Sequence, residues 1–232
     1  MQYWHDLAAL PADVAQCLKS WHRLKEDGFA IQLFDDACAR KFIAQFYEPR
    51  HVMAFDRCYH PAMRCDYFRL CYVLHCGGFY VDADELYLGT GWEALYRDNQ
   101  LKVQPLCYDN STRQMVPLEE FLGDASFPSS RIFYVNNNPI IAPPGHPLIY
   151  QALRRATELL LQATERPEIQ STTGPGNFTS CLVRHAMQLH KSGSAWDFTI
   201  LRNWTSLSFC RWPLSYRNDR RNWRLANASG GR

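Results

Sequence analysis

Apolar positions along this chain of 232 residues change period several times, and each change marks an element. Between Pro11 and Leu24, Val14, Leu18 and Trp21, with Cys17 beside them, recur at helical spacing behind a Pro-Ala-Asp start. That pattern predicts an amphipathic helix. Gly28 closes the region, residues 29–34 read as a short strand, and Asp35 or Asp36 can cap a helix over 37–47. Residues 49–61 read as a loop with a helical turn. Its His51, Asp56, Arg57 and His60 fit no recognised ligand geometry and are expected at the surface. From Ala62 a further helix places Leu70, Val73 and Leu74 on one face, with Phe68 and Cys71 beside it. Gly77-Gly78 stops it, and Phe79-Tyr80-Val81 reads as a short buried strand.

The second half continues the alternation. Strands are expected over 102–108 and 131–135, with a hairpin or helical insertion between them and helices over 148–163 and 178–190. Alternating helices and strands predict an α/β fold. The C-terminal 40 residues carry no clear period, so the expected division is one domain over 1–190 and an aromatic, basic segment over 191–232.

Composition narrows the picture. Apolar residues make up 47% and charged residues 21%, the balance of a globular chain. The net charge of +2 is unevenly spread: residues 1–100 carry 14 acidic and 10 basic side chains, the remainder 9 and 15. A basic C-terminal half facing an acidic centre suits a phosphorylated ligand; nucleic acid would also be drawn to it, but acidic residues at a strand end oppose that reading. Nine cysteines lack paired zinc-site spacing and read mainly as free thiols of a reducing cytosol. No apolar run approaches 18 residues, so no transmembrane segment is expected.

The chemistry gathers in residues 62–85. Asp66 and Arg69 are three apart on the helix and can reach one ligand. Asp82 and Asp84 sit at i and i+2 where the strand ends, and a bend there lets both converge on one cation. Carboxylates suit Mg2+ or Mn2+ bridging to a diphosphate. A D-x-D alone is also the pattern of a solvated strand end. Further on, Asn137 and Asn138 follow a strand; amides of that kind read hydroxyls, and an Asn-rich turn is the other reading.

Asp66-Tyr-Phe-Arg69 followed by Gly77-Gly-Phe-Tyr-Val-Asp82-Ala-Asp84 resembles the core motif of glycosyltransferase family 32, and a similar block occurs in the glucosyltransferase domains of large clostridial toxins. Asn137-Asn138, the Gly-His-Pro at 145–147 and the Thr173-Gly174-Pro175 turn resemble further blocks of that family. The resemblance implies a GT-A fold with a mostly parallel central sheet flanked by helices. It also implies a retaining transfer of a hexose from a UDP- or GDP-sugar to a glycan, lipid-linked or protein hydroxyl. Mn2+ or Mg2+ would bind at Asp82 and Asp84, and Asp82 could instead hold the ribose and sugar edge. Asp66 and Arg69 would hold the transferred sugar, with Arg69 assisting the leaving group, and Thr173 is a possible hydroxyl contact on the acceptor side. Trp4 aligns with a position that stacks on uracil in the toxin relatives; a Trp packed at the terminus is the other reading. Only the Gln-x-Trp end of the family's usual first strand is present, so a shortened strand or an upstream start is expected. Arg220 or Arg221 would meet the diphosphate when the C-terminal segment closes, and a disordered tail is the alternative. A cytoplasmic enzyme of polysaccharide biosynthesis, with peripheral membrane association open, is implied; the alternative is a weak or inactive nucleotide-sugar or carbohydrate-binding relative.

Overall fold

The computed structural model describes residues 1–89, 91–96, 98–122 and 128–225. Gln2–Tyr3 (β1) pairs in parallel with Leu33–Phe34 (β2), so the strand expected over 29–34 forms only at its end. Between them lies Ala12–Ser20 (α1), which continues as a 3-10 turn through Trp21–Lys25. Val14, Cys17, Leu18 and Trp21 are buried as the spacing requires. Asp36–Phe46 (α2) is capped by the Asp35 carboxylate, which accepts from the Cys38 amide at 2.8 Å. Pro49–Asp56 (α3) is a full helix where a loop was expected, begun by proline at its first turn.

Pro61–Cys76 (α4) is the central helix. Met63, Tyr67, Phe68, Leu70, Cys71 and Val73 are buried, because α2, α3 and later helices enclose it on several sides. Gly77 ends it at φ +67°, and a Cβ there would meet the Pro144 nitrogen and Cδ at 2.7 Å, so this position needs glycine twice over. Gly78–Tyr80 (β3) follows, then Glu85–Tyr87 (β4), Leu101–Asp109 (β5), Gln114–Met115 (β6), Leu118–Leu122 (α5) and Arg131–Ala142 (β7). The insertion between β5 and β7 therefore holds both a hairpin and a helix. Pro147–Gln162 (α6), Ile169–Thr172 (α7) and Pro175–Ser192 (α8) come next, and Phe198–Ile200 (β8), Trp204–Leu207 (α9) and Ser208–Cys210 (β9) complete the elements. His146 caps α6 by accepting from the Leu148 amide at 3.2 Å, a structural role.

The α/β layering is as expected, but the strand directions are not mostly parallel. Among the described residues the central sheet runs β3-β7-β5-β6, every neighbouring pair antiparallel, with β8 alone joining β5 in parallel. The cause is connectivity. The tight turn over 110–113 makes β6 an antiparallel neighbour of β5. Side chains alternate across the sheet. Tyr80 and Ile140 enter the main core with α4, α6 and α8, while Phe79, Val81 and Ile141 join a second core around Trp21, Tyr87 and Trp204. A third core holds Trp4, Val14, Ala83 and Leu214. All nine cysteines are free thiols. No helix among the described residues is long and apolar enough to cross a membrane.

Two further expectations change. Asn136, Asn137 and Asn138 lie inside β7 and not in a turn after it. A register shift between Val103 and Pro105 on the paired strand lets the ladder pass this stretch. Of the supposed surface group, Asp56 makes an exposed ion pair with Arg40, but His60 is buried and caps α4. Of the C-terminal segment expected over 191–232, residues 226–232 lie outside the described residues.

Candidate active site

A cleft of about 320 Å³ opens at the end of β3, lined by Trp4, Asp66, Arg69, Asp82, Asp84, Asn137 and Asn138. Three walls meet there: α4 with the end of β3, the middle of β7, and residues 212–224 crossing over from the C-terminal side. The chain leaves β3 through a turn at Ala83–Asp84, closed by the Glu85 amide on the Asp82 carbonyl at 3.2 Å, and this bend brings both Asp82 and Asp84 to the cleft.

Arg69 organises the first wall. Its Nη2 lies 2.9 Å from Asp66 Oδ1 and 3.0 Å from Asp82 Oδ1, its Nη1 donates to the Asn137 carbonyl at 2.5 Å, and its guanidinium lies 4.2 Å from the Tyr80 ring centroid. With 4% of its side chain exposed, Arg69 holds both carboxylates through Nη2 alone, and among the described residues its Nε has no hydrogen-bond partner. Asp66 Oδ1 also accepts from Asn137 Nδ2 at 2.8 Å, and its Oδ2 has only Thr173 Oγ1, at 3.5 Å. Burial outweighs the attraction of Arg69 and pushes the Asp66 carboxyl up to about 6. Asp82 accepts from the Tyr80 hydroxyl as well, and its amide donates to Asn138 Oδ1 at 2.8 Å.

Asp84 is held differently. Its carboxylate pairs with Arg217 and accepts from the Tyr216 hydroxyl at 2.7 Å, both from the C-terminal segment. Burial first, then the neighbouring Asp82, raises the Asp84 carboxyl above its ordinary range, against the pull of Arg217. Arg217 in turn lies 4.1 Å from the Trp212 ring centroid, and Trp4 meets Tyr216 edge-on at 5.3 Å with Arg221 6.0 Å from its ring. Trp4 is 8% exposed, and among the described residues its buried Nε1 has no hydrogen-bond partner, nor has Arg217 Nε. Such orphaned donors beside a cleft are natural complements to ligand oxygens.

Thr173 is brought close but stays behind Asp66, 1% exposed and outside the cleft lining. The side chain of Arg220 does not line the cleft either; its carbonyl accepts from His60 Nε2 at 3.0 Å, and Arg217 and Arg221 face the cleft instead. Glu85 went unnoticed in the sequence. It is 3% exposed, accepting at Oε1 from Asn138 Nδ2 at 2.9 Å and at Oε2 from the Ser208 hydroxyl, and burial pushes its carboxyl up to about 7. It ties β4, β7 and β9 together beneath the two aspartates. The available signal was an acidic residue opening an apolar run, Glu-Leu-Tyr-Leu, directly after the D-x-D.

Among the described residues no three His, Cys, Asp or Glu side chains gather as a closed metal cage. A hard divalent cation that also binds phosphate needs only one or two carboxylates from the protein. Asp82 and Asp84 supply that set, and a cation would relieve the strain of a buried, crowded Asp84 anion, so the residues fit such an ion.

Residues 11–101 match the model of a family described as a glycosyltransferase sugar-binding region containing a DXD motif. That stretch holds α4, β3 and the Asp82-Ala-Asp84 segment. No curated protein is significantly similar in sequence. Among solved structures the fold is similar to that of "PaToxG Glycosyltransferase", with a TM-score of 0.54 and 14% identity over 82% of this chain and 70% of that one. The mixed α/β architecture, a central sheet flanked by helices, is consistent with the GT-A fold.

Proposed function

We propose that this chain is a glycosyltransferase that moves a sugar from a nucleoside diphosphate sugar to a hydroxyl acceptor. The observation that carries the reading is the convergence of Asp66, Asp82 and Asp84 on one cleft, with Arg69 and Asn137 fixing the first two and arginines of the C-terminal segment facing the third. The matched DXD family supports it.

In this reading Trp4 lies along the base and Arg221 beside it, while Arg217 meets the diphosphate as a charge-assisted donor. Asp66 Oδ2, Asp82 and the amides of Asn137 and Asn138 bind sugar hydroxyls. Arg69 keeps the two carboxylates at a fixed separation and excludes water beneath the sugar. Asp84, with Asp82, would hold Mn2+ or Mg2+, which offsets charge on the departing diphosphate. Retention of configuration, a UDP or GDP carrier, a hexose and closure by residues 191–232 belong to the same proposal. Thr173 acts through Asp66.

A second reading has its own observation. Asp84 is already paired with Arg217 and bonded to Tyr216, so the chain could bind a nucleotide sugar while turning it over slowly. Calorimetry with UDP and GDP, each with and without Mn2+, tests both. Asp84→Asn is expected to keep the fold and weaken the Mn2+-dependent binding about tenfold or more, the scale of one lost charge-assisted contact of about 1.5–3 kcal/mol. Wild-type affinity that ignores Mn2+ would overturn the metal assignment, and no binding of either nucleotide would overturn the whole reading. Tight binding without sugar transfer or donor hydrolysis selects the second reading.

A further inference from the structure

The cleft continues past the aspartates along β7 to a shelf that the donor, as assigned above, does not use. Tyr134 and Asn136 from β7 and Met115 from β6 form its floor, and Trp212, Trp223 and Arg224 form its other side. The Tyr134 hydroxyl meets Met115 Sδ at 3.8 Å, which fixes the floor as one apolar surface. Met115 is 47% and Trp212 54% exposed, large apolar areas for solvent to cover.

Arg224 distinguishes this end. Arg217 is paired with Asp84 and Arg221 with Asp219, but among the described residues Arg224 has no carboxylate within ion-pair distance. Its amide donates to Asn222 Oδ1 at 3.2 Å and its guanidinium lies against rings, 4.5 Å from the Trp223 centroid and 5.0 Å from that of Trp212. Partial desolvation and then the nearby Arg217 lower its basicity, yet the residue is exposed, so an anion can reach the guanidinium and offset the repulsion from Arg217. Asn136 offers the amide that sugar hydroxyls require; its Nδ2 makes only a long 3.4 Å bond to Gln104.

We infer that this shelf is the acceptor subsite and that the acceptor is an acidic saccharide, its carboxylate on Arg224 and a ring against Tyr134 and Trp212. A neutral glycan would leave Arg224 without a partner, and an acidic peptide would leave the aromatic floor and Asn136 without theirs. The inference rests on the glycosyltransferase reading, and the donor-binding arm below keeps the two separable.

The full chain is titrated with a tetrasaccharide alternating glucuronic acid and N-acetylglucosamine, with N-acetylglucosamine tetramer as its neutral counterpart, and with a glutamate tetrapeptide. The uronate probe is expected to bind at least tenfold more tightly than the neutral one and to weaken with salt. Arg224→Gln should remove that preference while UDP affinity in Mn2+ changes less than twofold. Equal binding of the neutral probe overturns the role of Arg224, and equal binding of the peptide makes the acceptor a polypeptide. A matching loss of UDP affinity in Arg224→Gln moves this arginine to the donor. Failure of every acceptor probe with UDP binding intact overturns this inference alone.

Discussion

Arginine meets carboxylate on both sides of the cleft, yet the two sides are built by opposite means. Arg69 rises from the centre of a 16-residue helix, 4% exposed, clamped by two aspartates, a backbone carbonyl and the Tyr80 ring. Arg217 sits in a 3-10 turn with no buried residue of its own, in contact with Asp84, Tyr216 and a Trp212 that is 54% exposed. The first pair is fixed by the core that surrounds it. The second is a contact between Asp84 and a C-terminal segment that the third core holds at Leu214, while the 3-10 turn carrying Arg217 buries no residue, so that turn can shift at lower cost than α4. A site that must hold one sugar geometry and also admit and release a charged donor has use for both kinds of wall.

The largest expected effect breaks the fixed wall. Arg69→Gln leaves Asp66 and Asp82 buried or half-buried without their shared cation, a change that costs about 3–5 kcal/mol when one partner of a buried pair is lost. Urea unfolding should show a fall of that size with an unchanged m-value. A loss below about 1 kcal/mol would mean that the wall is no more rigid than the C-terminal one.

A smaller effect tests the floor between the walls. Glu85 in the folded chain holds its proton up to about 7, against an ordinary value of 4.5. The folded state therefore binds more protons than the unfolded one between those values, and stability falls as pH rises through that window. Asp66, raised to about 6 from 3.8, acts in the same direction over a lower window. Glu85→Gln should flatten the upper part of the profile and stabilise the metal-free protein above pH 7. The new amide can still accept from Asn138, while the Ser208 hydroxyl turns to the Leu86 carbonyl at 3.1 Å. Denaturant midpoints from pH 4 to 8 decide it, and an unaltered slope would remove Glu85 as the titrating group.

The fixed wall was legible in sequence because its logic is local. Helical spacing from Phe68 to Leu74, the Gly77-Gly78 stop and the bend that brings Asp82 and Asp84 together all lie within a few turns of chain, and the Asp66–Arg69 contact follows from a spacing of three. The Asn136–Asn138 run was hidden because Asn and Pro disfavour strands, and only pairing with β5 and β3 carries β7 through it. Strand direction was hidden for a related reason: alternation of helix and strand says little about which edge a returning strand joins. The other wall is tertiary throughout. Arg217 finds Asp84 from 133 residues away, guided by the β4–β9 pair and an Arg211 amide on the Asp84 carbonyl, and no local period encodes that.

The smallest expected effect on stability is also the one that sharpens the contrast most. Arg217→Gln removes a cation from Asp84 where both side chains are 12% exposed, but the turn carrying it can shift and admit water, so the cost should lie between the about 1 kcal/mol of an exposed pair and the about 3–5 kcal/mol of a buried one. The binding effects should be larger and of opposite sign. Asp84 freed of its guanidinium is a better ligand for Mn2+ alone, whereas a diphosphate loses one charge-assisted donor worth about 1.5–3 kcal/mol. Mn2+ affinity measured without nucleotide should therefore rise several-fold in Arg217→Gln, and UDP affinity in saturating Mn2+ should fall about tenfold or more. That crossing of signs is what a movable arginine predicts, because it competes with the cation before the donor arrives and assists the donor afterwards. An arginine as fixed as Arg69 would instead lower both affinities together, and that result would erase the distinction between the two walls.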